Sequence, residues 1–117
     1  MSVNSAAISG HLVENATLRS TKGGTMVLNF TVAVSERVRG SDGGYEDRPS
    51  YIDCAVFGAR AEAICRYLTK GSLVMVQGSL RQLTYSDRQG QRRSKVEVMV
   101  DEIDWRTKRP GDAPAAS

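Results

Sequence analysis

The chain predicts an all-β fold, a five-stranded Greek-key barrel with one short helix between the third and fourth strands. Three observations lead there. Apolar residues recur at every second position in several separate segments, which marks strands with one face on a core. One segment alone switches to helical spacing. Polar, glycine-rich stretches separate these segments and read as turns.

The elements follow in order. Val3 to Leu12 is a weak first strand carrying Ile8 and Leu12. Lys22-Gly23-Gly24 is a turn, after which Leu28, Phe30, Val32 and Val34 alternate with Asn29, Thr31, Ala33 and Ser35 as the second strand. Arg39 to Gly44 is a hairpin tip. Tyr51 to Phe57 is the third strand, with Tyr51, Asp53, Ala55 and Phe57 on one face and Ile52, Cys54 and Val56 on the other. From Ala59 to Thr69, Ala61, Ile64, Cys65 and Leu68 repeat at helical spacing, with Gly71 as a stop signal. Leu73-Val74-Met75-Val76 is apolar on both faces and suits a buried fourth strand. Asp87 to Gln91 is a second hairpin tip, and Val96, Val98, Val100 and Ile103 mark the fifth strand. Periodicity alone does not separate a barrel from a sandwich. The single helix between strands three and four favours the small OB-type barrel. Residues 1–105 form this one domain. Residues 106–117, with Pro110, Gly111 and Pro114, read as a disordered tail.

Composition narrows the function. The chain has 117 residues, enough for one domain with a core. Its 16 Lys and Arg against 13 Asp and Glu give +3, which permits a polyanionic partner. No apolar run reaches the ~20 residues of a membrane span, and no signal peptide is visible, so a cytoplasmic protein with reduced thiols is expected. Cys54 and Cys65 read as small buried hydrophobes. His11 is the only histidine and no CxxC pair exists, so neither metal nor cofactor is expected. A nucleophile–base arrangement, a phosphate loop and a dinucleotide fingerprint are all missing from the sequence, so an enzyme is not expected.

Basic residues gather beside aromatics on both hairpins. Arg37, Arg39, Arg48 and Tyr51 flank one; Arg81, Tyr85, Arg88, Arg92, Arg93 and Lys95 flank the other. Single-stranded nucleic acid asks for this mixture, because cations neutralise phosphates and aromatic faces accept bases of any sequence. A merely solvated polar face is the competing reading, and charge alone does not decide between them.

Several segments, taken in order, resemble bacterial-type single-stranded DNA-binding proteins, including phage and plasmid relatives. They are Gly10-His11-Leu12, Ala16-Thr17-Leu18-Arg19, Asn29-Phe30-Thr31-Val32-Ala33-Val34-Ser35-Glu36, Val56-Phe57-Gly58-Ala59-Arg60-Ala61-Glu62, Tyr67-Leu68-Thr69-Lys70-Gly71-Ser72, Val76-Gln77-Gly78-Ser79-Leu80-Arg81, Tyr85-Ser86-Asp87-Arg88-Gln89-Gly90-Gln91 and Glu97-Val98-Met99-Val100. The resemblance covers about residues 3–105. It implies an OB fold, a homotetramer built as a dimer of dimers, and cooperative wrapping of single-stranded DNA in replication, recombination and repair, in the cytoplasm with the nucleoid. The family's stacking positions fall on Tyr51, Phe57 and Tyr85, and its frequently basic positions on Arg19, Lys70, Arg81 and Arg93. Val38 stands where the family often has a further tryptophan. Ile52-Asp53 stands where it often has His-Arg, which removes a phosphate contact and alters a subunit contact. Trp105 lies outside the stacking set and reads as core or interface. The family's acidic tip, which recruits replication and repair enzymes, has no counterpart in Pro110 to Ser117. The alternative reading is an OB-fold protein-interaction or primosome-type accessory module with weak or lost DNA affinity.

Overall fold

The structure, a computed structural model, describes residues 1–106. Six strands and one short helix follow one another as β1 (Ala6–Leu12), β2 (Thr17–Ser20), β3 (Met26–Arg39), β4 (Tyr45–Phe57), α1 (Ala59–Ile64), a 3₁₀ turn (Cys65–Tyr67), β5 (Leu73–Ser86) and β6 (Arg92–Arg106). Neighbouring strands run β1–β5–β6–β4–β3, and β1 also pairs with β3 through His11 and Leu12, which closes a five-stranded barrel. The one parallel contact among the described residues, Cys54 with Val98 and Ala55 with Met99, joins β4 to β6. β2 stands outside the ring, paired among the described residues only with β3.

The alternating apolar residues meet inside. Leu28, Phe30 and Val32 of β3 pack with Cys54 and Val56 of β4, Val74 and Val76 of β5, and Val98 and Val100 of β6. Ala61, Ile64 and Leu68 plug one end of the barrel. Each such aliphatic side chain withdrawn from water contributes roughly 1.5–3 kcal/mol. At the same end Tyr67 stacks on Trp105, with ring centroids 5.6 Å apart, and Trp105 packs against the core. Trp105 is therefore part of the barrel wall, as one of its two expected readings had it.

Gly78 lets the wall bend. The register shifts between Gln77 and Gly78, leaving Asp101 of β6 as an extra residue that bulges β6 against β5. A Cβ on Gly78 would collide with the Met99 carbonyl, so only glycine allows the two backbones this close.

Strand lengths depart from the sequence expectation. The second expected strand runs on to Arg39, the third begins at Tyr45, and the fourth reaches Ser86. β3 and β4 stay in antiparallel register from Val27 opposite Phe57 out to Arg39 opposite Tyr45. β5 and β6 do so out to Ser86 opposite Arg92. Two long hairpins thus project from the barrel, and the molecule reaches 50 Å along its longest axis. The helix is shorter than expected: α geometry ends at Ile64 and tightens to 3₁₀ through Tyr67. β6 extends to Arg106, and the rest of the expected tail, residues 107–117, lies outside the described residues.

Candidate nucleic-acid interface

Strand register assembles one continuous outer face from residues far apart in sequence. On β4, Tyr51, Asp53 and Phe57 alternate to the same side. Their β3 partners are Ala33, Thr31 and Val27, and Asn29 lies between the last two. Arg19 of β2 sits opposite Val27 and donates from Nε to Asn29 Oδ1 at 2.8 Å. Across the parallel β4–β6 seam, Glu97 continues the row. It faces Arg81, and further out Lys95 faces Leu83 and Arg93 faces Tyr85. A groove of about 520 Å³ runs along this face, lined by Arg19, Asn29, Thr31, Asp53, Tyr85 and Lys95 among others.

The aromatic candidates differ in availability. Tyr51 is 65% and Tyr85 48% exposed, so both rings offer a face to a ligand. Phe57 is half-buried, and the Arg81 guanidinium lies over its ring, 4.9 Å from the centroid. A base reaching Phe57 meets that guanidinium first.

The basic candidates divide by what already holds them. Arg81 is ion-paired to Glu97 at 2.8 Å, and Arg93 to Asp87 at 3.0 Å. Arg48 pairs with Glu46 at 3.1 Å. Arg48 is three residues from Tyr51 on one strand, so alternation turns it to the opposite face of the hairpin. Arg37 shares the Tyr51 side and lies over Tyr45, 5.4 Å from the ring centroid. Arg88 is exposed at the β5–β6 tip. Lys70 is exposed beyond the helix, where its backbone N–H donates to Asn15 of the groove lining at 2.8 Å. Among the described residues, Arg19, Arg37, Lys70 and Arg88 have no carboxylate partner within ion-pair distance.

Three features of the face were legible in the sequence only in part. Glu97 is 2% exposed although alternation turns it outward, because outward at that point is beneath Arg81. Asp53 sits in the middle of the groove, accepting from Thr31 Oγ1 at 2.9 Å and facing Lys95 Nζ at 3.6 Å. Asn29 and Thr31 look like ordinary polar positions of a half-buried strand and become groove floor only through the register with β4. Just beneath, burial pushes the Cys54 thiol up to about 12, with the Asp53 and Glu97 charges adding to the effect. That thiol is an inert part of the core.

A second surface lies around the barrel. Ala7, Ile8, Met75, Val76 and Ile103 line a hollow of about 420 Å³ across β1, β5 and β6, and Met75 is 63% exposed. From Ala6 to Gly10, β1 pairs with β5 on one edge and with nothing among the described residues on the other. Val38 is partly buried on the β3–β4 hairpin opposite Glu46, and Ile52 packs against the core. No described helix is long and apolar enough to cross a membrane.

Residues 3–105 match the Single-strand binding protein family. The chain is 40% identical over 102 residues to the single-stranded DNA-binding protein of Borreliella burgdorferi, covering 86% of this chain and 68% of that one. It is 38% identical over 98 residues to the single-stranded DNA-binding protein of Mycobacterium leprae, covering 82% and 58% respectively. A solved deletion mutant of the single-stranded DNA binding protein from Thermus aquaticus superposes with a TM-score of 0.76 at 27% identity, over 92% of this chain and 52% of that one. The chain thus spans between about half and two thirds of the length of these relatives.

Proposed function

This chain belongs to the single-strand binding protein family, and from that premise we propose that it binds single-stranded DNA without sequence requirement, protecting it during replication, recombination and repair. The observation that carries the reading is the groove face: Tyr85 and Arg19 line the groove, and Tyr51 exposes its ring on the strand face shared by Asp53 of the lining and by Arg37. Bases stack on Tyr51 and Tyr85, while Arg19, Arg37, Lys70 and Arg88 neutralise phosphates. Phe57 is a third stacking position reached through Arg81. Arg81, Arg93 and Arg48 act chiefly through the carboxylates they hold. The protein acts as a binder rather than an enzyme, with the DNA in the cytoplasm.

Fluorescence anisotropy with a long thymidine oligomer and a matching duplex tests this. Tighter binding to the single strand supports it; equal affinity, or no binding to either, removes it. Asp53, a carboxylate in the middle of the groove, is the observation that favours the alternative of a protein-interaction module, and an absence of binding would leave that module standing.

Assembly completes the proposal. A single barrel offers a short groove, and the free edge of β1 beside the apolar β1–β5–β6 hollow supports pairing of subunits into a dimer of dimers. Light scattering then gives four times the monomer mass, and Met75→Lys lowers it. A monomer at micromolar concentration would refute the assembly.

A further inference from the structure

The groove holds one feature that stacking and phosphate neutralisation leave unused. Asp53 puts a carboxylate where a polyanion is to lie, and it is 43% exposed rather than tucked away. Its two oxygens are held unequally. Oδ1 accepts from Thr31 Oγ1 at 2.9 Å, which fixes the carboxylate's rotation. Among the described residues Oδ2 faces only Lys95 Nζ, at 3.6 Å, and that ammonium is itself 43% exposed. The neighbouring Glu97 cannot play the same part, since it is buried beneath Arg81 and already paired to it at 2.8 Å.

We propose that Asp53 is a base-reading residue, which takes a hydrogen bond from the exocyclic amino group of a nucleobase and gives this groove a preference for cytosine over thymine. The inference rests on the single-strand reading above. A DNA phosphate competes with Asp53 for Lys95, because an ammonium on a flexible stem binds either anion as a point charge. Once Lys95 turns to the phosphate, Oδ2 keeps its position through Thr31 and has no donor. A cytosine beside Tyr85 supplies one from its N4 amino group, a pairing that carboxylates make with cytosine in other complexes. Thymine presents the O4 carbonyl at the same place. Two acceptors then face each other, and the carboxylate is desolvated without a donor. The groove remains tolerant of sequence, because stacking and phosphate contacts still accept any base. Asp53 superimposes a bias that stacking alone does not produce.

The test uses cytidine and thymidine oligomers of about twelve nucleotides, a length within the ~4–16 bound per barrel, and titrates both into the wild-type chain, Asp53→Asn and Asp53→Ala. The ratio of thymidine to cytidine Kd is expected to be about fivefold higher in the wild type than in Asp53→Ala. Asp53→Asn, which can turn its amide N–H toward a carbonyl, lowers the ratio at least as far. Glu62→Gln removes an equal charge from exposed α1, outside the groove lining, and is to leave the ratio unchanged. Thermal melting of each variant establishes that it is folded. If both Asp53 variants tighten binding to the two oligomers by the same factor, Asp53 is an electrostatic brake and the proposal fails. If the wild type binds neither oligomer, the failure belongs to the single-strand reading instead.

Discussion

The two long hairpins look alike in sequence, each a polar, arginine-rich ladder with a glycine at its tip, yet they are held very differently. In the β5–β6 hairpin, Asp87 Oδ1 accepts the N–H groups of Gln89 and Gln91 at 2.9 Å each, and Oδ2 accepts from Arg93 at 3.0 Å. At its root Arg81 joins buried Glu97 to the face of Phe57. In the β3–β4 hairpin every residue from Ser41 to Tyr51 is exposed. Its tip is closed by Gly40 N–H to the Gly44 carbonyl and by Gly44 N–H to Asp42 Oδ1, and its one ion pair among the described residues, Arg48 with Glu46, is open to water. Exposed pairs of that kind contribute about 0–1 kcal/mol. A side chain on the first hairpin is presented already ordered. One on the second must be ordered by its ligand, at a cost of roughly 0.5–1.5 kcal/mol per long side chain. The difference assigns Tyr85 the steady contact and Tyr51 the adaptable one.

Breaking the ordered hairpin at its root gives the largest expected effect. Gly78→Ala drives a methyl into the Met99 backbone, and chemical denaturation is expected to show a loss of about 3 kcal/mol. A loss below about 0.5 kcal/mol, the ordinary surface value, would mean that the bulge relaxes freely.

Arg81→Ala ranks next. It strands a buried carboxylate and is expected to lower stability by about 2 kcal/mol, below the full cost for a buried pair because Arg81 is partly exposed. The slope of log affinity against log salt should barely change, since Glu97 already neutralises that charge. Arg37→Ala, by contrast, should flatten the slope by about 0.7. Equal changes in slope for the two variants would erase the distinction between held and free cations.

The stacking pair sharpens the comparison most directly. Tyr85→Ala is expected to weaken single-strand binding by about 2 kcal/mol and Tyr51→Ala by about 1, because part of the Tyr51 contact is offset by ordering. Titration of both variants at one salt concentration decides it, and a larger loss at Tyr51 would reverse the assignment.

These contrasts mark the limit of sequence reading. Leu28 to Val34 announce their strand because a core lies beneath every second residue. Past Val34 there is no core, the alternation loses its apolar partner, and the strand's run to Arg39 leaves no trace. β4 from Tyr45 to Ser50 is silent for the same reason. β2 is four residues long and exists only by pairing with β3, so no local pattern marks it. The barrel, the helix and the aromatic and basic candidates were readable. Which candidates on different strands share a face was not, because it depends on register: Ala33 opposite Tyr51, and Arg93 opposite Tyr85.

The smallest expected effect is an acid one at the ordered tip. The Arg93 guanidinium, with the turn's own N–H groups, holds the Asp87 carboxyl below its usual value. A carboxylate depressed by folding stabilises the hairpin above its unfolded value near 3.9 and stops doing so as pH falls through the lower folded value. Amide exchange at Gln89 to Gln91 should therefore rise only in strong acid, and Asp87→Asn should remove that dependence. A rise beginning near neutral pH would contradict it.

The ladders that carry both hairpins also separate growth from stability. Beyond the barrel rim no residue of the β3–β4 arm is buried, so lengthening the arm by one pair on each strand enlarges the contact surface and leaves the core untouched. Because strand faces repeat every two residues, insertions between the levels of Tyr51 and Arg37 must come in steps of two per strand to keep the two on the same side. Arm length is thus a dial with discrete settings, which can be turned while the interior stays the same.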